Sequence, residues 1–249
     1  MLTDLSRATS RPLILACALA LGAAFFATRF PDVPGASVGS YLSTFLIALP
    51  SAVALFRYLG WRQATLSLLA LSAFGYAVET LGVATGFPYG PFYYGDALGY
   101  KLAGLVPYLL PVSYAPLVIG AVAASWGSPR RSLHALAAAL LLVLMDAVLD
   151  PGAAALGFWV WPEGGAYYGV PASNYAGWLL SGFLAAAILL TTGKWLNAPP
   201  PGLLDSSVIA LSFWTGVAAL SGMALPTLLG ITLSLYLLGR RSRLQAAKW

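Results

Sequence analysis

Three carboxylic acids, Glu79, Asp146 and Asp150, lie in stretches of the chain that are otherwise apolar enough to cross a bilayer. An ionisable group at the centre of a membrane helix costs about 2.5–3.5 kcal/mol on insertion scales, so such a residue is a candidate for function by default. Asp146 and Asp150 are four residues apart, which puts their Cβ atoms about 5–6 Å apart on one helix face. Because desolvation and mutual repulsion disfavour two charges there, we expect the pair to retain one proton near neutral pH.

A protonated carboxyl group beside an ionised one provides a general acid and a general base in one place, and Glu79 is a candidate for either role. Purely structural interpretations also stay open. Asp150, which is followed by Pro and Gly, could form a helix exit at the membrane interface. Glu79 could bind a neighbouring helix or the Tyr76 hydroxyl. Asp146 lies deeper in its predicted helix, which makes a structural role harder to assign.

Two predicted loops next to these acids, 84–101 and 151–171, are crowded with Tyr, Trp, Gly and Pro, a composition that does not form a plain helix. Non-helical backbone at membrane depth has to be covered by protein or to line a cavity. We therefore predict that the loops form a substrate pocket, although an interfacial aromatic belt would also explain the depth of the rings. The predicted pocket residues are Tyr93, Tyr94, Trp159, Trp161 and Tyr168, with Asn174 placed to orient water or an acid.

The chain of 249 residues is 59% apolar and only 8% charged, against about 25% charged in an ordinary soluble domain. Apolar runs recur from end to end, so we predict one integral membrane domain over residues 1–249, an all-α bundle in the lipid bilayer. The net charge of +5 comes from Lys and Arg residues beside helix ends, which form no continuous basic face. Nucleic acid is therefore not an expected partner.

Hydropathy predicts about eight membrane spans, at 12–28, 38–58, 63–83, 102–126, 132–150, 172–192, 203–221 and 224–239. The last two could form one broken unit because Ser221-Gly222 and Pro226 could mark a kink, so seven spans are the alternative. With the N-terminus in the cytoplasm, the cations on that side are Arg7, Arg11, Arg57, Arg62, Arg130, Arg131, Lys194, Arg240, Arg241, Arg243 and Lys248. Only Arg29 and Lys101 fall on the other side. The positive-inside rule thus predicts an even number of spans with both tails, 1–11 and 240–249, in the cytoplasm. We expect a multi-pass protein of the inner cell membrane.

The sequence offers little to a metal ion or a cofactor, and neither is predicted. His134 has no second His nearby and is expected to anchor its helix at the interface, while the lone Cys17 is expected to be inert packing. Asp146 and Asp150 match half of what a membrane prenyltransferase uses to hold magnesium diphosphate, but a second Asp-rich motif is missing from the sequence.

The remaining chemistry is acid catalysis on an uncharged lipid. Addition of water to a trisubstituted alkene needs an acid that protonates the less substituted carbon and a base that orients water. It also needs electron-rich groups beside the tertiary cation, where aromatic rings within about 6 Å contribute ~0.5–2 kcal/mol each. The three acids and the aromatic loops provide these parts without a cofactor.

The motifs around these acids resemble those of a known family, the membrane carotenoid biosynthesis hydratases of the CruF type. The resemblance covers about residues 40 to 240. It rests on Glu79-Thr80-Leu81-Gly82-Val83, Thr85-Gly86, Pro88-Tyr89-Gly90, Tyr93-Tyr94, Val106-Pro107, Asp146, Asp150-Pro151, Trp159-x-Trp161, Tyr167-Tyr168-Gly169-Val170-Pro171 and Asn174-Tyr175-x-Gly177-Trp178. The family often has Phe at the positions of Tyr89 and Tyr175, a difference that keeps the aromatic character.

This resemblance implies that the substrate is a carotenoid and that water adds to the 1,2 double bond of an acyclic ψ-end like that of lycopene or γ-carotene. Archaeal relatives act on longer C50 carotenoids, and other carotenoid pathway enzymes are candidate partners. In such a hydratase Asp146 or Asp150 would donate the proton, and its partner or Glu79 would activate water. Two other functions stay open: a carotenoid end-group cyclase, which would exclude water, and a small-solute or proton-coupled transporter, which would also place acids and broken segments in the bilayer.

Overall fold

The computed structural model describes residues 10–31, 36–195 and 197–247. Within these residues the helices are α1 (Arg11–Arg29), α2 (Ala36–Leu59), α3 (Trp61–Thr85), α4 (Leu110–Ala124), α5 (Arg131–Ala155), α6 (Ala172–Thr192), α7 (Asp205–Leu220) and α8 (Ala224–Ala246). The all-α prediction is confirmed, since the strands that accompany the helices are two residues long each. Residues 1–9 of the predicted N-terminal tail, with Arg7, and Lys248 of the C-terminal tail lie outside the described residues.

In the described chain, six helical segments are long and apolar enough to cross a membrane: Arg11–Arg29, Val38–Leu59, Trp61–Thr85, Arg131–Ala155, Ala172–Thr192 and Pro201–Leu220. The last of these joins a short 3-10 helix, Pro201–Leu204, to α7. Helix α4 is apolar but has only 15 residues, and α8 carries a basic C-terminal half. The protein therefore has the helices of an integral membrane protein, while the count of eight spans and the side of each terminus stay predictions.

The predicted fourth span, 102–126, is wrong at its start, because α4 begins only at Leu110. The strands are β1 (Tyr93–Tyr94), β2 (Lys101–Leu102), β3 (Val106–Pro107) and β4 (Trp159–Val160). β2 and β3 pair as an antiparallel hairpin in front of α4. Ala103 and Gly104 both adopt positive φ at the turn between these strands, a conformation that a helix does not allow. Because the side chains of this stretch are mostly apolar, its hydropathy resembled that of a helix and the turn was not predicted.

Helix α5 is longer than its predicted span, 132–150, because it continues through Pro151 to Ala155. Proline inside a helix removes one backbone hydrogen bond and crowds the preceding turn, yet the neighbouring bonds can continue the helix. The helix ends where Gly157 adopts a left-handed φ of 66° and the Phe158 N–H donates to the Ala153 carbonyl at 2.9 Å. The interpretation of Asp150 as a simple helix exit is therefore wrong.

The last two predicted spans are separate helices. Gly222 has a left-handed φ of 75°, and the Met223 N–H donates to the Ala218 carbonyl at 2.9 Å, which ends α7 in a closed cap. Helix α8 extends beyond the predicted residue 239 to Ala246. Its last turns are held because Arg240 donates to two backbone carbonyls of the α4 C-terminus and the residues after it.

The helix bundle has two ends that differ in their charged residues. At the end that we call the acidic end, the loops 86–109 and 156–171 come together, because β1 pairs antiparallel with β4. Gly95 is required at this crossing, since a Cβ atom there would lie 2.0 Å from the Gly157 carbonyl oxygen. The opposite end, which we call the basic end, contains the described cations Arg11, Arg57, Arg62, Arg130, Arg131, Lys194, Arg240, Arg241 and Arg243.

His134 lies near the basic end, but it is not the interface anchor that the sequence predicted. Its side chain is buried, and its Nε2 atom is 2.8 Å from the carbonyl oxygen of Val122. The imidazole therefore ties α5 to α4. Sequence position alone could not show this contact, because it depends on how the two helices pack.

Candidate active site

Glu79 is buried near the C-terminal end of α3, where it is held by a residue from the following loop. The Tyr94 hydroxyl donates to Glu79 Oε2 at 2.8 Å. The Tyr89 hydroxyl is also within hydrogen-bonding reach of this carboxyl group. The proposed bond from Glu79 to the Tyr76 hydroxyl is wrong, since that hydroxyl donates to the Tyr108 carbonyl.

Asp146 and Asp150 lie one turn apart on α5 and are almost inaccessible, with 1% and 2% of their surface exposed. Their carboxyl groups are within hydrogen-bonding reach of each other. The Asn174 amide of α6 bridges them, because its Nδ2 atom donates to Asp146 Oδ2 at 2.9 Å and to Asp150 Oδ2 at 2.5 Å. Asn174 was predicted to orient water or an acid, and a hydrogen bond from its amide to a carboxyl group is what orienting an acid requires.

The two aspartates differ in their remaining oxygen atoms. Asp150 Oδ1 accepts a hydrogen bond from Trp159 Nε1 at 3.0 Å, so both of its oxygens receive N–H donors. Asp146 Oδ1 is buried and has no hydrogen-bond partner among the residues that the structure describes. An oxygen that only accepts hydrogen bonds suits an ionised carboxylate, whereas a protonated carboxyl has one O–H to donate.

Glu79 lies within electrostatic range of both aspartates. The link runs through β1 and β4: Tyr94 contacts Glu79, its ring packs edge-to-face on Trp159 at 6.1 Å between centroids, and Trp159 contacts Asp150. The short strand pair therefore links Glu79 to the aspartate pair, which is distant from it in sequence.

Three of the predicted aromatic residues line this place. Tyr94 and Trp161 are buried, and Trp159 is half-buried. Phe92, which was not a predicted pocket residue, lies between Tyr94 and Trp161, with its ring centroid 5.5 Å from that of Tyr94 and 6.1 Å from that of Trp161. Aromatic side chains therefore pack around Tyr94 and Trp159, the two residues whose polar edges donate to Glu79 and Asp150.

Tyr93 and Tyr168 lie outside the buried aromatic cluster, so their role as pocket residues stays a prediction. Tyr93 is 51% exposed, because successive side chains of a strand point to opposite faces and Tyr94 takes the inward one. Tyr168 is 38% exposed and adopts a positive φ of 51°. Its hydroxyl accepts from the Leu225 N–H at 3.4 Å, at the start of α8.

Tyr89 is a further residue of this site, and it was not among the predicted pocket residues. Its ring fits between α3 and α6 at two glycines: a Cβ atom at Gly82 would lie 2.8 Å from it, and one at Gly177 would lie 2.5 Å from it. Burial and the nearby Glu79 carboxyl raise the pKa of the Tyr89 phenol well above its ordinary value, so it stays a proton donor in hydrogen bonds. The same two causes raise the pKa of the Tyr94 phenol. Tyr89 stood within the motif Pro88-Tyr89-Gly90, which was the available signal.

Several buried polar atoms near the acids are unpaired within residues 10–31, 36–195 and 197–247, namely Asp146 Oδ1, the hydroxyls of Tyr114, Tyr175 and Ser181, and Trp161 Nε1. Such atoms are rare in folded proteins and usually face water, a ligand or a catalytic partner. Ser181 had a usable signal in the sequence, since it follows Asn174 by seven residues and so shares its helix face. Tyr114 had no such signal, because only packing brings α4 to this place.

Comparison with known proteins places the chain among carotenoid biosynthesis proteins. Residues 36–237 match the family model described as carotenoid biosynthesis protein. Over 186 residues, 70% of this chain, the sequence is 41% identical to the bisanhydrobacterioruberin hydratase of Haloarcula japonica, and the match covers 62% of that relative's length. No solved structure matches the chain. The chain that contains these buried acids is therefore a member of the carotenoid biosynthesis protein family.

Proposed function

We propose that the protein is a carotenoid hydratase, which adds water across the 1,2 double bond of an acyclic end group. One observation carries this proposal: a buried, amide-bridged aspartate pair that is surrounded by aromatic rings and leaves one carboxyl oxygen, Asp146 Oδ1, unpaired in the described part of the chain. The 41% identity to a protein named as a hydratase supports it.

Protonation is the first step. The Asp146 O–H gives its proton to C2 of the terminal alkene, the π electron pair forms the new C–H bond, and C1 becomes a tertiary cation. We assign Asp146 as the donor because both oxygens of Asp150 already accept N–H donors, which matches an ionised partner. The surrounding rings stabilise the cation by about 0.5–2 kcal/mol each.

Capture by water is the second step. A water oxygen bonds to C1 while Glu79 accepts one of its protons, which gives a tertiary alcohol. Tyr94 donates to Glu79, and phenol donors suit an ionised carboxylate that can act as the base. The enzyme returns to its starting state when the proton passes from Glu79 back to the aspartate pair, so that the net change is alkene plus water to alcohol.

The substrate class that this mechanism fits is an acyclic carotenoid with a trisubstituted terminal alkene. Lycopene and γ-carotene-like polyenes have such an end, and the relative from Haloarcula is named for bisanhydrobacterioruberin. The reaction requires no charged group on the substrate. A site in the bilayer, which we place in the cell membrane, would receive such a lipid directly.

The test is to express the chain in one host that accumulates lycopene and in another that accumulates bisanhydrobacterioruberin, and to analyse pigments by chromatography and mass spectrometry. We expect a product heavier by one water in at least one host. A cyclase would give a new pigment of unchanged mass. If the membrane-inserted protein changes neither pigment, the hydratase proposal is wrong for these substrates.

A further inference from the structure

An apolar groove of about 260 Å³ lies between α3 and α6, next to the candidate site. The residues that line it are Phe74, Ala77, Val78, Leu81, Phe87, Pro88, Leu180, Ser181 and Leu184. Leu81, Leu180 and Leu184 are exposed large apolar side chains on helices that are long enough to cross a membrane. The groove therefore opens sideways from the helix bundle, toward the position of lipid.

The inner wall of the groove contains one polar side chain, Ser181. It is 1% exposed, and its hydroxyl makes no well-aligned hydrogen bond to any residue that the structure describes. The Tyr89 hydroxyl approaches it, and the same hydroxyl is within reach of Glu79. Ser181 and Tyr89 thus connect the apolar groove to the carboxyl group that we assign as the base.

We propose that this groove binds the end segment of the polyene as it enters sideways from the bilayer, with the Ser181 hydroxyl marking the place where the reacting carbons meet water. The inference rests on the proposed hydratase function. A volume of about 260 Å³ is below the roughly 300–1,000 Å³ of sites that enclose a drug-sized ligand, so the groove holds only the end of a long chain. The rest of the polyene stays in lipid.

Selectivity in such a groove comes from shape and from its polar inner end. Lipid tails are as apolar as leucine side chains, so moving a polyene from the bilayer to the groove gains little hydrophobic free energy. A linear, unsubstituted end can slide between the leucines of α3 and α6. An end that already carries a ring is bulkier, and we expect the groove to bind it more weakly.

Groove-filling substitutions test this proposal. Ala77→Phe narrows the α3 wall and Leu184→Phe narrows the α6 wall, while Leu69→Phe adds the same ring at an exposed position of α3 outside the groove. In lipid nanodiscs, polyene binding is measured from the shift of its visible absorption bands, and kcat and KM from product formation. We expect the two groove variants to raise Kd and KM about tenfold or more, with the control at the wild-type values and kcat much less affected.

The outcomes separate this proposal from the one on which it rests. Wild-type Kd and KM in both groove variants, with hydration intact, would overturn the groove and leave the hydratase standing. A wild-type protein that binds the polyene in the groove and forms no hydrated product would contradict the hydratase instead. Ser181→Ala is expected to keep the binding and lower kcat about tenfold, the effect of losing one hydrogen bond near the reacting atoms. An unchanged kcat would remove the role assigned to its hydroxyl.

Discussion

The basic end and the acidic end both bury polar groups, but they treat them differently. At the basic end the groups are paired: Arg241 Nε lies 2.6 Å from Asp205 Oδ1, and Arg240 donates to the carbonyls of Ala124 and Trp126 at 2.7 Å each. The Thr65 hydroxyl is an exception among the described residues there. These contacts join the ends of α4, α7 and α8, so their polar groups serve to hold helices together.

At the acidic end the polar groups are partly paired and partly open. The Asn174 amide fixes one oxygen of each aspartate, while Asp146 Oδ1 and the Tyr175 hydroxyl have no partner within the described parts of the chain. A buried polar group without a partner costs about 1–3 kcal/mol, so these atoms are candidates for contact with water or a substrate. The difference between the two ends is what our proposal expects, with catalysis at the acidic end and helix-to-helix contacts at the basic end.

The largest effect is expected at the aspartate pair. Asp146→Asn and Asp150→Asn each replace a carboxyl by an amide of the same shape, which cannot supply an acidic proton or stabilise its transfer. We expect hydration to fall by about 10²- to 10⁴-fold, the range for loss of general acid catalysis. Product formation per inserted protein measures this. Asp96→Asn, at an exposed residue of the acidic end, is the matched control, and full activity in both site variants would refute the acid pair.

The next effect is expected at the amide that bridges the pair. Asn174→Leu keeps the side-chain size and removes the donors to both carboxyl groups, so the two acids lose their fixed geometry. Hydrogen bonds to charged groups contribute about 1.5–3 kcal/mol, which corresponds to a roughly 10- to 100-fold loss of kcat. Single-turnover kinetics would show this directly. A loss confined to KM would mean that Asn174 binds the substrate instead of positioning the acids.

Two neighbouring tyrosines sharpen the comparison within the acidic end. Tyr94→Phe removes the hydroxyl that donates to Glu79, and we expect activity to fall about tenfold. Tyr93→Phe removes an exposed hydroxyl one residue away and is expected to leave hydration unchanged. Equal losses in the two variants would contradict the inward position of Tyr94 and the outward position of Tyr93.

A smaller change is expected at the slot that holds Tyr89. In Gly177→Ala the new Cβ atom would lie 2.5 Å from the Tyr89 ring and 2.7 Å from the Pro88 carbonyl oxygen, so the ring has to move. Overpacking of this kind costs about 1–3 kcal/mol of folding stability. Gly22→Ala, on α1 with open space around it, is the control. Thermal unfolding measured by circular dichroism should show a lower Tm for Gly177→Ala alone; equal Tm values would rule out the tight slot.

The smallest effect on hydration is expected at the basic end. Asp205→Asn weakens the ion pair with Arg241, and we expect a loss of about 1–3 kcal/mol in stability, because the pair is largely shielded from solvent. Activity per folded molecule should stay at the wild-type value. If Asp205→Asn instead lowered kcat without lowering Tm, the division of the molecule into a catalytic and a structural end would be wrong.

Part of this site could be predicted from local rules. The four-residue spacing of Asp146 and Asp150 fixes a shared helix face whatever the rest of the fold does, because the helix repeats every 3.6 residues. A role for Asn174 beside an acid could be proposed from the sequence. Which acids its amide contacts could not be predicted, since that depends on the packing of α6 against α5. The start of α4 at Leu110 was missed because a hairpin with apolar side chains has the same hydropathy as a helix.

The sequence by itself determined the membrane character of this protein, its helical class and the helix face that carries the two aspartates. These properties depend on composition and on periods of a few residues. Only the tertiary structure decided that Tyr94 contacts Glu79 while Tyr93 is exposed, that Trp159 reaches Asp150, and that Tyr89 fits between two distant glycines. Each of these contacts depends on how separate helices and loops pack against one another, and a local sequence pattern does not determine that packing.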